Sequence, residues 1–134
     1  EYIGGDYHVK LTGAHAMMEF LANSFHSGTL AMHQGHLPEI TFTGPDSADG
    51  VWYLEDIFIN LEEKFHTFGT AIYRDKYVRE EGRWRMASTV YDRVMEVTEP
   101  LHEGARYPSH LLAKTGRKPE ERTDISHLIT WEAR

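Results

Sequence analysis

The run from "VWYLEDIFINLEE" through "FGTAIYRDKYVRE", "EEGR" and "RWRMASTVYDRVMEV" constrains this chain more than any other feature. Long segments rich in β-branched and aromatic residues, separated by short polar turns, predict consecutive antiparallel strands. Glu81-Gly82 supplies a pair that tolerates positive φ, which suits a tight hairpin turn between the last two. The first segment divides into the alternate sets Val51, Tyr53, Glu55, Ile57, Ile59 and Trp52, Leu54, Asp56, Phe58. Both sets are mostly apolar, so both faces of that strand are expected to be covered.

Upstream, "TGAHAMMEFLANSFHSG" reads as one short helix opened by Thr12 or Gly13, with Gly28 just past its end. Ala14, Met17, Met18, Leu21 and Phe25 fall at helical spacing and form one apolar face, and core packing is the plain reading of both methionines. "LAMHQGHLPEITFTG" is extended, interrupted at Gly35 and Pro38, and proline implies an edge or a bulge. "GPDSADG" is a turn cluster. Pro100 ends the regular part. Residues 101–134 carry more turn residues and read as a tail that packs on the body or on a neighbouring subunit, with "SHLLAK" as a short helical turn. The order is therefore a helix and four long strands: an α+β fold with a helix on one face of a curved sheet. Such a sheet with aromatic residues on its concave face makes a small-molecule pocket.

At 134 residues the chain is long enough for one domain with a buried core. With 14 basic against 21 acidic residues the formal net charge is -7, which argues against nucleic acid or an anionic membrane as the main partner. No apolar run approaches the roughly 20 residues of a membrane span. There is no cysteine, so disulfides, thiolate metal sites and cysteine nucleophiles are excluded. A cytoplasmic location is compatible with that. The opening "EYIGGDYHVK" shows no targeting segment and reads as the middle of something longer.

Chemistry concentrates in a few side chains. His33 and His36 are three apart, and on a strand an odd separation sends two side chains to opposite faces. Joint metal ligation by this pair is therefore disfavoured, and nothing marks a third ligand. One of the two could instead point into the pocket as a general base, since an imidazole with an ordinary pKa of about 6.5 suits proton abstraction near neutrality. Tyr73, Asp75 and Tyr77 share one strand face. A tyrosine hydroxyl there can orient a substrate oxygen, whereas a buried aspartate must be paired or hydrogen-bonded, for example to an arginine such as Arg93. Equally, the tyrosines can be packing residues, and Asp92 and Arg93 a structural ion pair.

The run "GTAIYRDKYVREEGRWRMASTVYDRV" resembles the last hairpin of SnoaL-like proteins in the nuclear-transport-factor-2-like superfamily, with Gly69, Tyr73, Asp75, Tyr77, Arg79, Glu81-Gly82 and Trp84 at the recurring positions. "TGAHAMMEFLANSF" and "MHQGHLPEITFTGPDSADG" resemble that family's helix and first long strand, so the likeness covers roughly residues 10 to 98. It implies a cone-shaped α+β barrel: a curved, mostly antiparallel sheet wrapped around helices, with an internal pocket. The domain would span residues 1–100, with 101–134 as the tail, and the family's N-terminal helices would be missing. His33 is similar in position to the catalytic histidine of scytalone dehydratase and hexachlorocyclohexane dehydrochlorinase. The resemblance thus implies a cofactor-independent lyase or isomerase of the dehydratase or elimination type, with no metal, acting on a small hydrophobic or aromatic substrate. His33 would be the base, with Asp75 and Tyr73 as further catalytic candidates. Tyr77, Trp52, Phe58, Met18, Trp84 and Arg93 are candidates for binding substrate. A homo-oligomer, dimer or trimer, is expected from sheet packing in the superfamily. In those enzymes an aspartate on an N-terminal helix orients the histidine, and that helix has no counterpart here. Nor does "FGTAIYR" carry the second pocket histidine of the dehydratase. The alternative is a non-catalytic small-molecule-binding or assembly module of the same fold.

Overall fold

The computed structural model describes residues 2–3 and 7–131, with the backbone alone for residues 2 and 3. Among these, eight strands form one sheet, supplemented by one substantial helix. The strands are β1 (Tyr2–Ile3), β2 (Tyr7–Val9), β3 (Thr29–Gly35), β4 (Glu39–Gly44), β5 (Ser47–Asn60), β6 (Phe65–Glu80), β7 (Arg83–Pro100) and β8 (Ile129–Trp131). Helix α1 is Ala14–Ser24, and a single turn, α2, is Leu112–Thr115.

The meander expected from the long strand segments is present: β5, β6 and β7 pair antiparallel in sequence order. Glu81 and Gly82 sit at φ 49° and 76°, the left-handed pair that a two-residue hairpin turn requires. Pro38 separates β3 from β4, which cover successive halves of the free edge of β5. The turn cluster is shorter than its composition suggests. Only Pro45-Asp46 turns, because Gly44 already pairs with Ser47 and the small residues Ala48 and Gly50 continue β5 inward. The helix is also shorter than expected, closing at Ser24 rather than near Gly28.

Beyond β7 the sheet continues through β1, parallel to β7, then β2 and β8. Alternation sorts β5 cleanly. Leu54 and Asp56 are buried, while Tyr53, Glu55 and Ile57 are exposed. The expectation that both faces of β5 are covered is therefore met on the inner face only. On the outer face Met32, Ile57 and Phe68 lie side by side in register and remain exposed within this chain.

The inner face carries the core, Leu54, Ala71 and Tyr91, with Tyr73 packed against it. Helix α1 lies over this face, and Phe25, which caps its C-terminal end, meets Phe58 edge-on at 5.9 Å. The tail fastens the helix. Arg117 forms a two-pronged ion pair with Glu19 at 2.6 and 2.9 Å, and Asn23 exchanges hydrogen bonds with Thr123 at 2.8 and 3.1 Å. Arg122 pairs with Glu62 at 2.9 Å. The chain then returns to the sheet as β8, which places Ile129 and Trp131 beside Tyr7 and Val9.

Candidate functional site

Between α1 and the inner sheet face lies a cavity of about 940 Å³. Its walls are apolar and aromatic, with Leu21 and Phe25 from the helix, Phe58 from β5, Tyr73 from β6 and Tyr91 from β7. Among the described residues its ionisable lining, tyrosines aside, is His33, Asp56, Arg93 and Glu96. Register explains how four sequence-distant groups meet. His33 on β3 is the direct cross-strand partner of Asp56 on β5, Asp56 is the partner of Gly69 on β6, and Gly69 is the partner of Glu96 on β7.

Arg93 reaches this row through a β-bulge. Met95 pairs with Thr70 and Arg93 with Ala71, so Val94 is the extra residue and points out to solvent. Arg93 and Glu96 are three apart and would face opposite ways on a regular strand. The bulge resets the alternation so that both face inward.

The geometry is that of a held carboxylate. Asp56 is 3% exposed and takes both Nη atoms of Arg93, through the close Nη1–Oδ1 contact and Nη2–Oδ2 at 3.2 Å. Arg93 also pairs with Glu96 at 2.9 Å, and its guanidinium sits 5.3 Å from the centre of the Tyr91 ring. His33 places Nε2 3.9 Å from Oδ2 of Asp56, longer than a hydrogen bond but within ion-pair range, and stands edge-on to Phe25 at 5.2 Å. Burial pulls the His33 pKa below the ordinary imidazole value. Asp56 pushes it back up, and Arg93 adds to the lowering. Burial also raises the Tyr91 hydroxyl far above its usual range, and raises Tyr7 with help from nearby Glu96, so both remain hydrogen-bond donors.

Gly69 is what lets the guanidinium cross the sheet. A Cβ there would stand 2.2 Å from the Met95 carbonyl oxygen and 3.0 Å from Nη1 of Arg93. Gly69→Ala is therefore expected to destabilise the protein by about 1–3 kcal/mol, read from urea unfolding. An unchanged unfolding midpoint would mean that the strands part freely there.

Of the residues singled out from the sequence, His33, Tyr73, Phe58, Met18 and Arg93 line this cavity, Met18 from an exposed position at its mouth. Asp75, Tyr77, Trp52 and Trp84 are not part of the lining. Asp75 is buried on the same face but nearer the β6–β7 turn. Tyr77 donates to it at 2.5 Å and receives Trp52 Nε1–H at 2.8 Å. The pairing of Asp75 with Arg93 is thus replaced by a Tyr77 pairing, and Arg93 belongs to Asp56. Trp84 packs against Phe42 near that turn, with ring centres 5.8 Å apart and planes tilted by 59°. His36 follows the end of β3 and reaches Glu55 at 3.6 Å, where both side chains are exposed. Asp56, Glu96, Tyr7 and Tyr91 were not singled out. The available signal was Asp56 itself, a lone carboxylate in the otherwise apolar row of Trp52, Leu54 and Phe58, which demands a partner.

Among the described residues, no group of three or more His, Asp and Glu side chains is placed to hold a metal ion. No described helix is long and apolar enough to cross a membrane.

Residues 3–90 match the family of SnoaL-like domains. Solved structures with a similar fold include a type 2 hexachlorocyclohexane dehydrochlorinase, 17% identical, with a TM-score of 0.60 over 72% of this chain and 65% of that one. A proposed aromatic ring hydroxylase from Novosphingobium aromaticivorans is 18% identical, with a TM-score of 0.55 over 66% of this chain and 61% of that one. The type 3 hexachlorocyclohexane dehydrochlorinase from Novosphingobium barchaimii LL02 is 19% identical, at a TM-score of 0.49, over 59% and 53% of the two chains. The chain thus spans between about half and two thirds of the length of these structures.

Proposed function

We propose that this chain, which belongs to the SnoaL-like domain family and has the nuclear-transport-factor-2-like fold, is a cofactor-independent lyase or isomerase of the elimination type. His33 is the general base, and the substrate is a small hydrophobic or aromatic ring compound. The observation that carries this reading is His33 inside the cavity, directly across from a buried aspartate that Arg93 holds in place.

The chemistry follows from the site. An imidazole on the cavity wall whose pKa lies below the ordinary value is neutral near neutral pH and can accept a proton from a substrate carbon. The electrons of the broken C–H bond form the new double bond, and the leaving group departs with its bonding pair. Asp56 stabilises the imidazolium that forms through its charge at 3.9 Å, and the apolar walls of the cavity strengthen that attraction. The Tyr73 and Tyr91 hydroxyls, 5.2 Å apart by ring centre, are suited to assist the leaving group as donors. Residues 1–100 form the catalytic body in this reading. The curled sheet with α1 is its cone-shaped barrel, and the tail closes the cavity's rim through Trp131. A second reading, a binding or assembly module, draws support from the exposed outer row of Met32, Ile57 and Phe68, which suits packing against another sheet.

The test is turnover of small hydroxylated or halogenated ring compounds, followed by alkene formation and release of the leaving group. The pH profile adds a sign. The base must be unprotonated, so kcat/KM is expected to rise with pH and to level off, with its midpoint below about 6.5 because burial depresses His33. A limb centred above pH 7 would contradict His33 as that base.

A further inference from the structure

The charges around the cavity do not balance. Among the described residues Arg93 is the one guanidinium in the lining, and no lysine joins it. It is 8% exposed and already engaged by two carboxylates, Asp56 and Glu96. Its Nε is buried without a hydrogen-bond partner. With His33 neutral, two carboxylates against one guanidinium leave the described lining with one formal negative charge.

The excess has a location. Asp56 is sealed at 3% exposure, whereas Glu96 is 28% exposed, and Arg93 engages it through Oε2. Around it stand aromatic rings. Tyr7 senses the Glu96 charge and packs edge-on to Trp131 at 6.0 Å. Ring faces in this cavity already accept a cation, as Arg93 over Tyr91 illustrates. The C-terminal end of α1, with Ser24 and Phe25 in the lining and no basic residue in its last turn, contributes further negative potential.

We infer that the cavity selects an apolar ring compound bearing a protonated amine, seated with its ammonium between the Glu96 carboxylate and the Tyr7 and Trp131 rings, and that it rejects carboxylate-bearing analogues of the same shape. The inference rests on the elimination reading of the same cavity and narrows its substrate class. A carboxylate would meet the net negative charge of the Asp56, Arg93 and Glu96 cluster, and the described lining offers no further cation to receive it.

Three probes of one shape test this by isothermal titration at pH 7.5: 2-naphthylmethylammonium, 2-naphthylmethanol and 2-naphthoate. The ammonium is expected to bind about 10-fold or more tightly than the alcohol, as a desolvated cation–π contact plus an ion pair allows, and naphthoate more weakly than the alcohol. Glu96→Gln is expected to bring the ammonium down to the alcohol's affinity. The comparison in the unaltered protein stands by itself if that variant does not fold. Equal binding of ammonium and alcohol, tighter binding of naphthoate, or no binding of any probe would overturn the inference. No turnover is read, so the two readings separate. His33→Ala should keep the amine preference, because the imidazole is outside the charge count. Conversely, His33-dependent turnover of an uncharged ring compound without any amine preference would leave the base standing and remove this proposal.

Discussion

His33→Ala is expected to lower turnover by about 100-fold or more while leaving the fold intact, the range that a positioned general base contributes. Two features set the size of the effect. The imidazole lines the apolar cavity edge-on to Phe25 at 5.2 Å, which sets it beside a bound ring compound. It also faces Asp56 at 3.9 Å, close enough for the carboxylate to stabilise the imidazolium as it forms. Folding should tolerate the change, because Asp56 keeps its bidentate partner Arg93 and is not stranded. Circular dichroism and urea unfolding separate lost chemistry from lost structure. A folded His33→Ala protein with near-normal turnover would sink the base assignment. Asp56→Asn adds a second readout: as a positioning change it should depress kcat more than it raises KM.

Arg93→Ala carries the largest expected cost in stability, about 3–5 kcal/mol, because it leaves a carboxylate in the sheet without its counter-charge. Asp56 has no route to water at 3% exposure, and Glu96 on the neighbouring strand would then add like-charge repulsion. The contact with the Tyr91 ring is lost in the same step. Removing both charges should be milder than removing one. The double variant Asp56→Leu with Arg93→Met is expected to be more stable than Arg93→Ala, since a buried pair is costly to break but not to replace with apolar groups. Urea unfolding of all three proteins decides this. A loss under about 1 kcal/mol for Arg93→Ala would place the pair among solvent-screened bridges instead.

Much of the scaffold was legible from local pattern. Period-two apolar segments, the Glu81-Gly82 turn and the Pro38 interruption each act over a few residues, and each appears where the pattern places it. The ends of α1 and the length of the turn before β5 were less legible, because tertiary pairing extended β5 through Ser47–Gly50 against turn-forming composition. Alternation also separated His33 from His36 and put Asp56 in one row with Trp52 and Phe58.

The site itself was legible in its parts and not in its assembly. The sequence by itself determined that His33 and Asp56 each lie on a strand, and which neighbours share their faces, because side-chain alternation is a property of a single strand. It also determined the excess of acidic over basic residues. That His33 stands opposite Asp56 depends on the register between β3 and β5, a long-range choice. That Arg93 and Glu96 both reach the inner face beside Asp56 depends on one bulge at Val94. A bulge is an inter-strand mismatch with no local signature in "YDRVMEV", so only the packed sheet could decide it.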